Sequence, residues 1–157
     1  MQAGVHDERE LFAAVERCGA RVVLIGRRAL VAYGLPVLTA DYDIWLHFDD
    51  VETLNAALEA LDMAPNRSPD EARRMGRYVI ENGDHIDVML ARSKATLDGD
   101  EVVFDDVFAR SVRLQLGEGV TLRVPALDDL IQTKRWSARD KDLADLRLLE
   151  ALRGERK

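Results

Sequence analysis

The stretch Val23-Leu24-Ile25-Gly26-Arg27-Arg28-Ala29-Leu30, followed by Thr39-Ala40-Asp41-Tyr42-Asp43-Ile44-Trp45-Leu46, decides how this chain is read. An apolar run ends on a glycine. An Asp-x-Asp pair then sits inside a second apolar run. Alternation along a strand sends Asp41 and Asp43 to the same face. Two ionised carboxylates one pleat apart repel each other. Beside a glycine turn, they point to a site for a hard divalent cation and a phosphate.

Working outward, Asp7 to Cys18 reads as a helix with Leu11, Phe12 and Val15 on one face. Arg21 to Ile25 is a short apolar strand. Arg28 to Tyr33 is a helical turn stopped by Gly34 and Pro36. Asp41 to Phe48 alternates as a second strand, and Thr39 is expected to begin it, the alternative being that its hydroxyl bonds the Asp41 backbone. Asp49 or Asp50 can cap a helix over 51–61, with Val51, Leu54, Leu58 and Leu61 as its apolar stripe. Arg77 to Ile80 and His85 to Leu90 flank Glu81-Asn82-Gly83-Asp84, a strong hairpin signal. Val102 to Ala109 suggests a short helix. Val112 to Leu116 and Val120 to Val124 flank Gly117-Glu118-Gly119 as a second hairpin. Pro125 precedes a helical tail: Asp128 to Trp136, a break near Ser137, then Asp140 to Leu152. Helices at both ends around a mixed sheet make an α/β or α+β layer fold.

A third carboxylate is available in His85-Ile86-Asp87-Val88-Met89, where Asp87 shares a face with His85 and Met89. If that strand lies beside the Asp41–Asp43 strand, three carboxylates converge. Such a triad can hold two metal ions and orient an in-line attack on a phosphoryl group. Gly26 lets the backbone approach a triphosphate closely.

The length predicts one domain over residues 1–157, with enough chain to bury a core. Hydrophobic residues make up 47%, which argues against general disorder. No apolar run approaches a membrane span, and the N-terminus lacks the basic and apolar regions of a signal peptide. The expectation is a cytoplasmic protein with no membrane contact. The single Cys18 excludes an internal disulfide framework and a cysteine-based zinc site. A net charge of −7 argues against nonspecific coating of nucleic acid. The charge is uneven: residues 123–157 hold nine Lys/Arg against seven Asp/Glu, a balance of +2. A solvated helix face is the plain reading of that tail.

The order of apolar strand, glycine, spacer, Asp-x-Asp and later strand Asp resembles the nucleotidyltransferase superfamily, the polymerase-β-like fold in its minimal bacterial form. The tail adds Val124-Pro125-Ala-Leu-Asp-Asp129-Leu-Ile131-Gln-Thr-Lys134 and Arg139-Asp-Lys141-Asp142-Leu-Ala-Asp145, which resembles the AbiEii-like branch. The resemblance spans roughly residues 20–50, 77–90 and 120–150. It implies a nucleotidyltransferase-like mixed sheet flanked by helices, with a helical C-terminal tail. Asp41, Asp43 and Asp87 become catalytic metal ligands, with Asp87 also a base for the acceptor hydroxyl. Gly26 lies beneath the nucleotide phosphates. Arg27, Lys134 and Lys141 are nucleotide-binding candidates, and Asp142 orients a basic neighbour.

The implied reaction is Mg²⁺-dependent transfer of a nucleoside monophosphate from an NTP, with two ions accommodated. The acceptor could be tRNA, a protein or a small molecule. The branch implies a toxin–antitoxin or phage-defence setting, with an antitoxin as partner. The family usually places Gly or Ser where this chain has Arg27, whose donor fork could meet a γ-phosphate. The alternative is a catalytically silent nucleotide-binding or partner-binding module in which Arg27 fills the phosphate site. A third reading is phosphoryl transfer to a different acceptor, such as a protein side chain.

Other residues have simpler readings. His85 is expected to be structural or exposed, and His6 and His47 give no metal spacing. Trp45 and Trp136 read as core or interface residues. Cys18 reads as a small buried hydrophobe. Arg73, Arg74 and Arg77 read as a solvated loop, the alternative being an acceptor groove.

Overall fold

The computed structural model describes residues 8–117 and 119–156; His6 lies outside them. Helix α1 (Glu8–Arg17) buries Leu11, Phe12, Ala14 and Val15 along one face, as their spacing requires. Strand β1 (Val22–Ile25) leads directly into helix α2 (Gly26–Ala32). Strand β2 (Tyr42–Leu46) follows the loop after α2. A short 3₁₀ turn at Phe48–Asp50 then enters helix α3 (Val51–Glu59). Beyond it come β3 (Ala64–Pro65), α4 (Pro69–Met75) and the hairpin β4 (Arg77–Asn82) and β5 (Asp84–Met89). The remainder is β6 (Ser93–Ala95), β7 (Glu101–Val103), α5 (Phe104–Arg110), β8 (Val112–Gly117), β9 (Val120–Val124), α6 (Leu127–Lys134) and α7 (Asp140–Glu155).

The main sheet has the order β1-β2-β5-β4-β3. Only the β2–β5 pair is parallel. That makes a mixed sheet with helices around it, the α+β arrangement expected. Two further two-stranded ribbons, β6–β7 and β8–β9, complete it.

Period-two alternation gives the sheet two different faces. Val22, Leu24, Tyr42, Ile44, Leu46, Tyr78, Ile80, Ile86 and Val88 face the larger core with α1, α2 and α3. Val23, Ile25 and Trp45 face a smaller cluster built by Val102, Phe104 and Val107, with Met89 and Trp136 against it. Trp45 is fully buried and meets Phe104 and Trp136 edge-on, each 5.3 Å away between centroids. Its indole N–H donates to the Ala91 carbonyl at 2.7 Å, so no polar atom is stranded there. Burying one such apolar side chain contributes roughly 1.5–3 kcal/mol. No described helix is long and apolar enough to cross a membrane.

Several local expectations are corrected. Thr39 does not begin the strand, which starts at Tyr42; its hydroxyl accepts from the Asp41 amide at 3.0 Å. Asp50 precedes α3 but makes no cap bond, because its carboxylate is taken by Arg21 through three bonds of 2.8–2.9 Å. His47 caps the preceding turn instead, accepting from the Asp49 amide. The segment read as a helix from Val102 is strand until Val103, and the helix begins at Phe104. Cys18 is half-buried against the core rather than enclosed in it.

Candidate active site

The register decides where the aspartates go. Across β1, β2, β5 and β4, one row reads Ile25–Asp43–Asp87–Val79, and the next same-face row reads Val23–Trp45–Met89–Arg77. The β6–β7–α5 unit covers the Trp45 row. The Asp43 row lies open at the floor of a cleft of about 560 Å³. Asp41, just before β2, lines the same cleft. Parallel pairing of β2 with β5 therefore sets Asp43 directly beside Asp87, and Asp41 lines the same cleft without closing a three-carboxylate cluster with them among the described residues.

Gly26 fits this floor in two ways. Its φ is +70°, the left-handed region that costs other residues strain. A Cβ added there would lie 2.5 Å from Asp43 Oδ2. Only a residue without a side chain leaves room for that carboxylate. Burial holds the Asp43 carboxyl above its usual range, and the charges of Asp87 and Asp41 push it the same way. Lys134 and Lys141 partly offset that. Asp41 and Asp43 have no ion pair with Lys or Arg among the described residues. Among the described residues the Asp87 carboxylate pairs with His85, whose Nε2 is 3.3 Å from Oδ1; the other ring nitrogen faces Glu81. Burial lowers the His85 pKa, but hydrogen bonds and charge from Asp87 and Glu81 outweigh it and raise the ring above its ordinary value.

Among the described residues, no three His, Cys, Asp or Glu side chains stand close enough to form a metal cage by themselves. The donor set nonetheless suits Mg²⁺, which takes one or two carboxylates and completes its octahedron with waters and substrate phosphate oxygens. A buried carboxylate with its pKa raised by two neighbours is the group a cation would relieve.

The tail forms the opposite wall in a different manner. Lys134 is buried, with Nζ 2.8 Å from Asp145 and 3.6 Å from Asp142. Asp145 is fully buried and also takes Arg27, whose Nη2 is 3.2 Å from Oδ1. That oxygen makes no hydrogen bond among the described residues, so its charge is answered by the ion pair. Arg27 donates its remaining fork to the Leu38 carbonyl at 3.3 Å. Asp142 receives Arg139 at 2.8 Å and the Ser137 hydroxyl. Burial alone would raise its pKa, but those bonds and the charges of Lys134 and Arg139 bring it below the usual value. Lys141 lines the cleft, exposed.

No family model matches the sequence, and no curated protein matches it. Solved structures do. The lincosamide antibiotic adenylyltransferase LnuA, bound to lincomycin, superposes with a TM-score of 0.60 at 16% identity, covering 94% of this chain and 98% of that one. The antibiotic-resistance factor ANT(2'')-Ia, in complex with adenylyl-2''-tobramycin, gives 0.59 at 14%, covering 94% and 88%. A Thermotoga maritima protein assigned to the nucleotidyltransferases gives 0.58 at 16%, covering 93% and 88%. The fold is the nucleotidyltransferase fold.

On that fold, the structure adds cleft residues that the sequence reading set aside. Arg77 is not in a solvated loop; it opens β4 and lines the cleft together with Arg67 and Lys94. Trp136 packs on the small cluster and also lines the cleft, beneath Lys94 Nζ at 5.3 Å. Arg73 turns away to Glu52 and the Phe48 carbonyl. Arg77 had one legible signal, since it shares strand parity with Val79 opposite Asp87.

Proposed function

We propose that this chain is a nucleotidyltransferase, moving a nucleoside monophosphate from an NTP to an acceptor hydroxyl with release of pyrophosphate. The observation that carries the reading is the row Asp43–Asp87 beside Gly26, whose missing Cβ makes room for the Asp43 carboxylate. In this mechanism Asp41, Asp43 and Asp87 would contribute carboxylate oxygens to Mg²⁺, with waters and substrate phosphate oxygens completing its coordination. When bound, the metal neutralises triphosphate charge and stabilises the transition state electrostatically. Asp87, the more exposed of the paired carboxylates, accepts the proton of the attacking hydroxyl. The acceptor oxygen bonds to the α-phosphorus as the bond to the bridging oxygen breaks, and pyrophosphate departs.

Gly26 lies under the phosphates, with Lys141 reaching them from the tail. Lys134, tied to two carboxylates, holds the wall rather than moving to substrate. Arg27 lines the cleft, its guanidinium held by Asp145 on the tail wall and by the Leu38 carbonyl. The tail pattern from Lys134 to Asp145 supports a toxin–antitoxin or phage-defence role with an antitoxin partner, in the cytoplasm, where NTPs are supplied.

Calorimetry with each NTP and Mg²⁺ tests the site: binding that requires Mg²⁺ and is lost in Asp43→Asn is the expected result, and no binding by the wild type refutes the reading. Incubation with α-labelled and γ-labelled NTP tests the reaction. Nucleotidyl transfer moves only the α label to acceptor, whereas movement of the γ label would mean phosphoryl transfer.

A further inference from the structure

We infer that the acceptor is a phosphate-bearing molecule, held beside its reacting hydroxyl by Arg67, Arg77 and Lys94. This rests on the transferase reading, with Asp87 facing the acceptor. Val79 stands directly opposite Asp87, and Arg77 is two residues along on the same face. Arg67 is fastened to that strand, its Nη1 donating to the Arg77 carbonyl at 2.8 Å. Asn66 clamps the loop to the same edge, exchanging bonds of 2.8 and 2.9 Å with Val79. Lys94 closes the space from β6, seated over Trp136. The acceptor side of the cleft is thus bounded by three cations.

The two walls treat cations differently. Arg27, Lys134 and Arg139 are each paired with a buried carboxylate. Arg67, Arg77 and Lys94 have no ion pair among the described residues. Among the described residues, Arg67 donates to a backbone carbonyl and Lys94 lies over an aromatic face. In a cleft whose floor carries Asp41, Asp43 and Asp87, these three cations without ion pairs are the donors for an anion bound beside the carboxylates. An arginine fork and a lysine point charge are the donors that recognise phosphate. A polycationic acceptor such as tobramycin would meet repulsion on this wall. The bond made is still acceptor oxygen to α-phosphorus; the acceptor's own phosphate is a handle and does not react.

The probes are a short RNA with a free 3′-hydroxyl, ribose 5-phosphate, and tobramycin as a phosphate-free polycation. Binding to the full chain is followed by calorimetry and anisotropy, with Mg²⁺·NTP binding measured in parallel. At least one phosphate probe should bind the wild type, and tobramycin should not. RNA alone binding identifies a phosphodiester handle; ribose 5-phosphate binding alone identifies a phosphomonoester. In Arg67→Ala/Arg77→Ala/Lys94→Ala the affinity should fall by about tenfold or more while Mg²⁺·NTP binding persists. For the RNA probe, the salt slope should fall by about one per cation removed that contacts a phosphate. Arg77→Gln, and the charge-preserving Arg67→Lys/Arg77→Lys/Lys94→Arg, separate charge from folding if the triple alanine variant is unstable. Equal binding of the phosphate probes by wild type and charge-removed variant overturns the inference, as does binding of tobramycin alone. Wild type that binds Mg²⁺·NTP but neither phosphate probe overturns it and leaves the transferase reading standing. Wild type that fails to bind Mg²⁺·NTP removes both.

Discussion

Asp43 and Asp142 line the same cleft, and their surroundings shift their carboxyl pKa values in opposite directions. Asp43, on the sheet floor, is raised by burial and by two like charges, with no Lys or Arg ion pair among the described residues. Asp142, on the tail, is lowered although burial works against it, because Arg139, Ser137 and Lys134 surround it. Asp145 next to it is fully buried and shared by Lys134 and Arg27. The difference separates two uses of buried charge. A paired carboxylate fixes one wall against another. A crowded one without a Lys or Arg ion pair among the described residues is destabilised in its charged form.

Removing the floor carboxylate is the hardest test of that contrast. Asp43→Asn should lower nucleotidyl transfer by on the order of a thousandfold, the scale seen when a preorganised electrostatic group is lost. Without Mg²⁺ the variant should be no less stable than wild type, since a repelling charge has gone. Steady-state rates beside urea midpoints check both halves. A variant that keeps its rate would return Asp43 to an ordinary strand residue.

The tail should behave the other way round. Asp145→Ala leaves Lys134 with only the longer contact to Asp142 and releases Arg27, so it should cost up to about 3–5 kcal/mol, the scale for breaking a buried pair from one side. The urea midpoint reads this directly. Asp145→Ala/Lys134→Met, which removes both charges, should recover part of the loss. If Asp145→Ala left stability unchanged but abolished nucleotide binding, the tail would belong to the ligand site rather than to the scaffold.

Gly26→Ala joins the two regions and should show a smaller, mixed effect. The backbone strain at φ +70° is about 1–2 kcal/mol. The new methyl would also displace Asp43 Oδ2, so activity should fall by more than stability explains. Comparing the rate loss with the unfolding free energy separates the contributions. A loss of stability alone would mean that Asp43 can move without consequence.

How legible this was in the sequence depended on the kind of signal. The break at Gly26, the strand after Asp41 and the Asn82-Gly83 hairpin rest on local chemistry, and each is present with its ends shifted by one or two residues from the reading. Helix α4 carried capping chemistry too, with Ser68 accepting from the Glu71 amide, Pro69 at its start and Gly76 in the left-handed region at its end. It went unread because it buries only Ala72 and so has no apolar stripe. Strands β3, β6 and β7 are two or three residues long, too short for alternation to register. Asp87 was legible by parity, but its pairing with Asp43 was not, since the parallel β2–β5 contact depends on topology. Lys134 resembled any solvated helix lysine, and only the fold brings Asp142 and Asp145 onto it. Ion pairs made across helices leave little trace in residue spacing.

The smallest predicted effect uses protons to compare the same two aspartates. Asp43 has a folded pKa above its ordinary 3.8, so the folded state binds its proton more tightly than the unfolded chain does. Its contribution to stability is present below about 3.8 and is lost as pH rises through the raised value. Asp142 has the opposite sign: its contribution is present above 3.8 and is lost as pH falls through its lowered value. Without Mg²⁺, the stability of Asp43→Asn relative to wild type should therefore increase as pH rises from 3.8 through the mildly acidic range. That of Asp142→Asn should decline as pH rises from below its lowered value towards 3.8. Urea midpoints across that range measure both. Saturating Mg²⁺ should abolish the Asp43 trend, because a cation bound to the carboxylate favours its ionised form. A trend for Asp43→Asn that Mg²⁺ leaves untouched would count against a metal at this carboxylate.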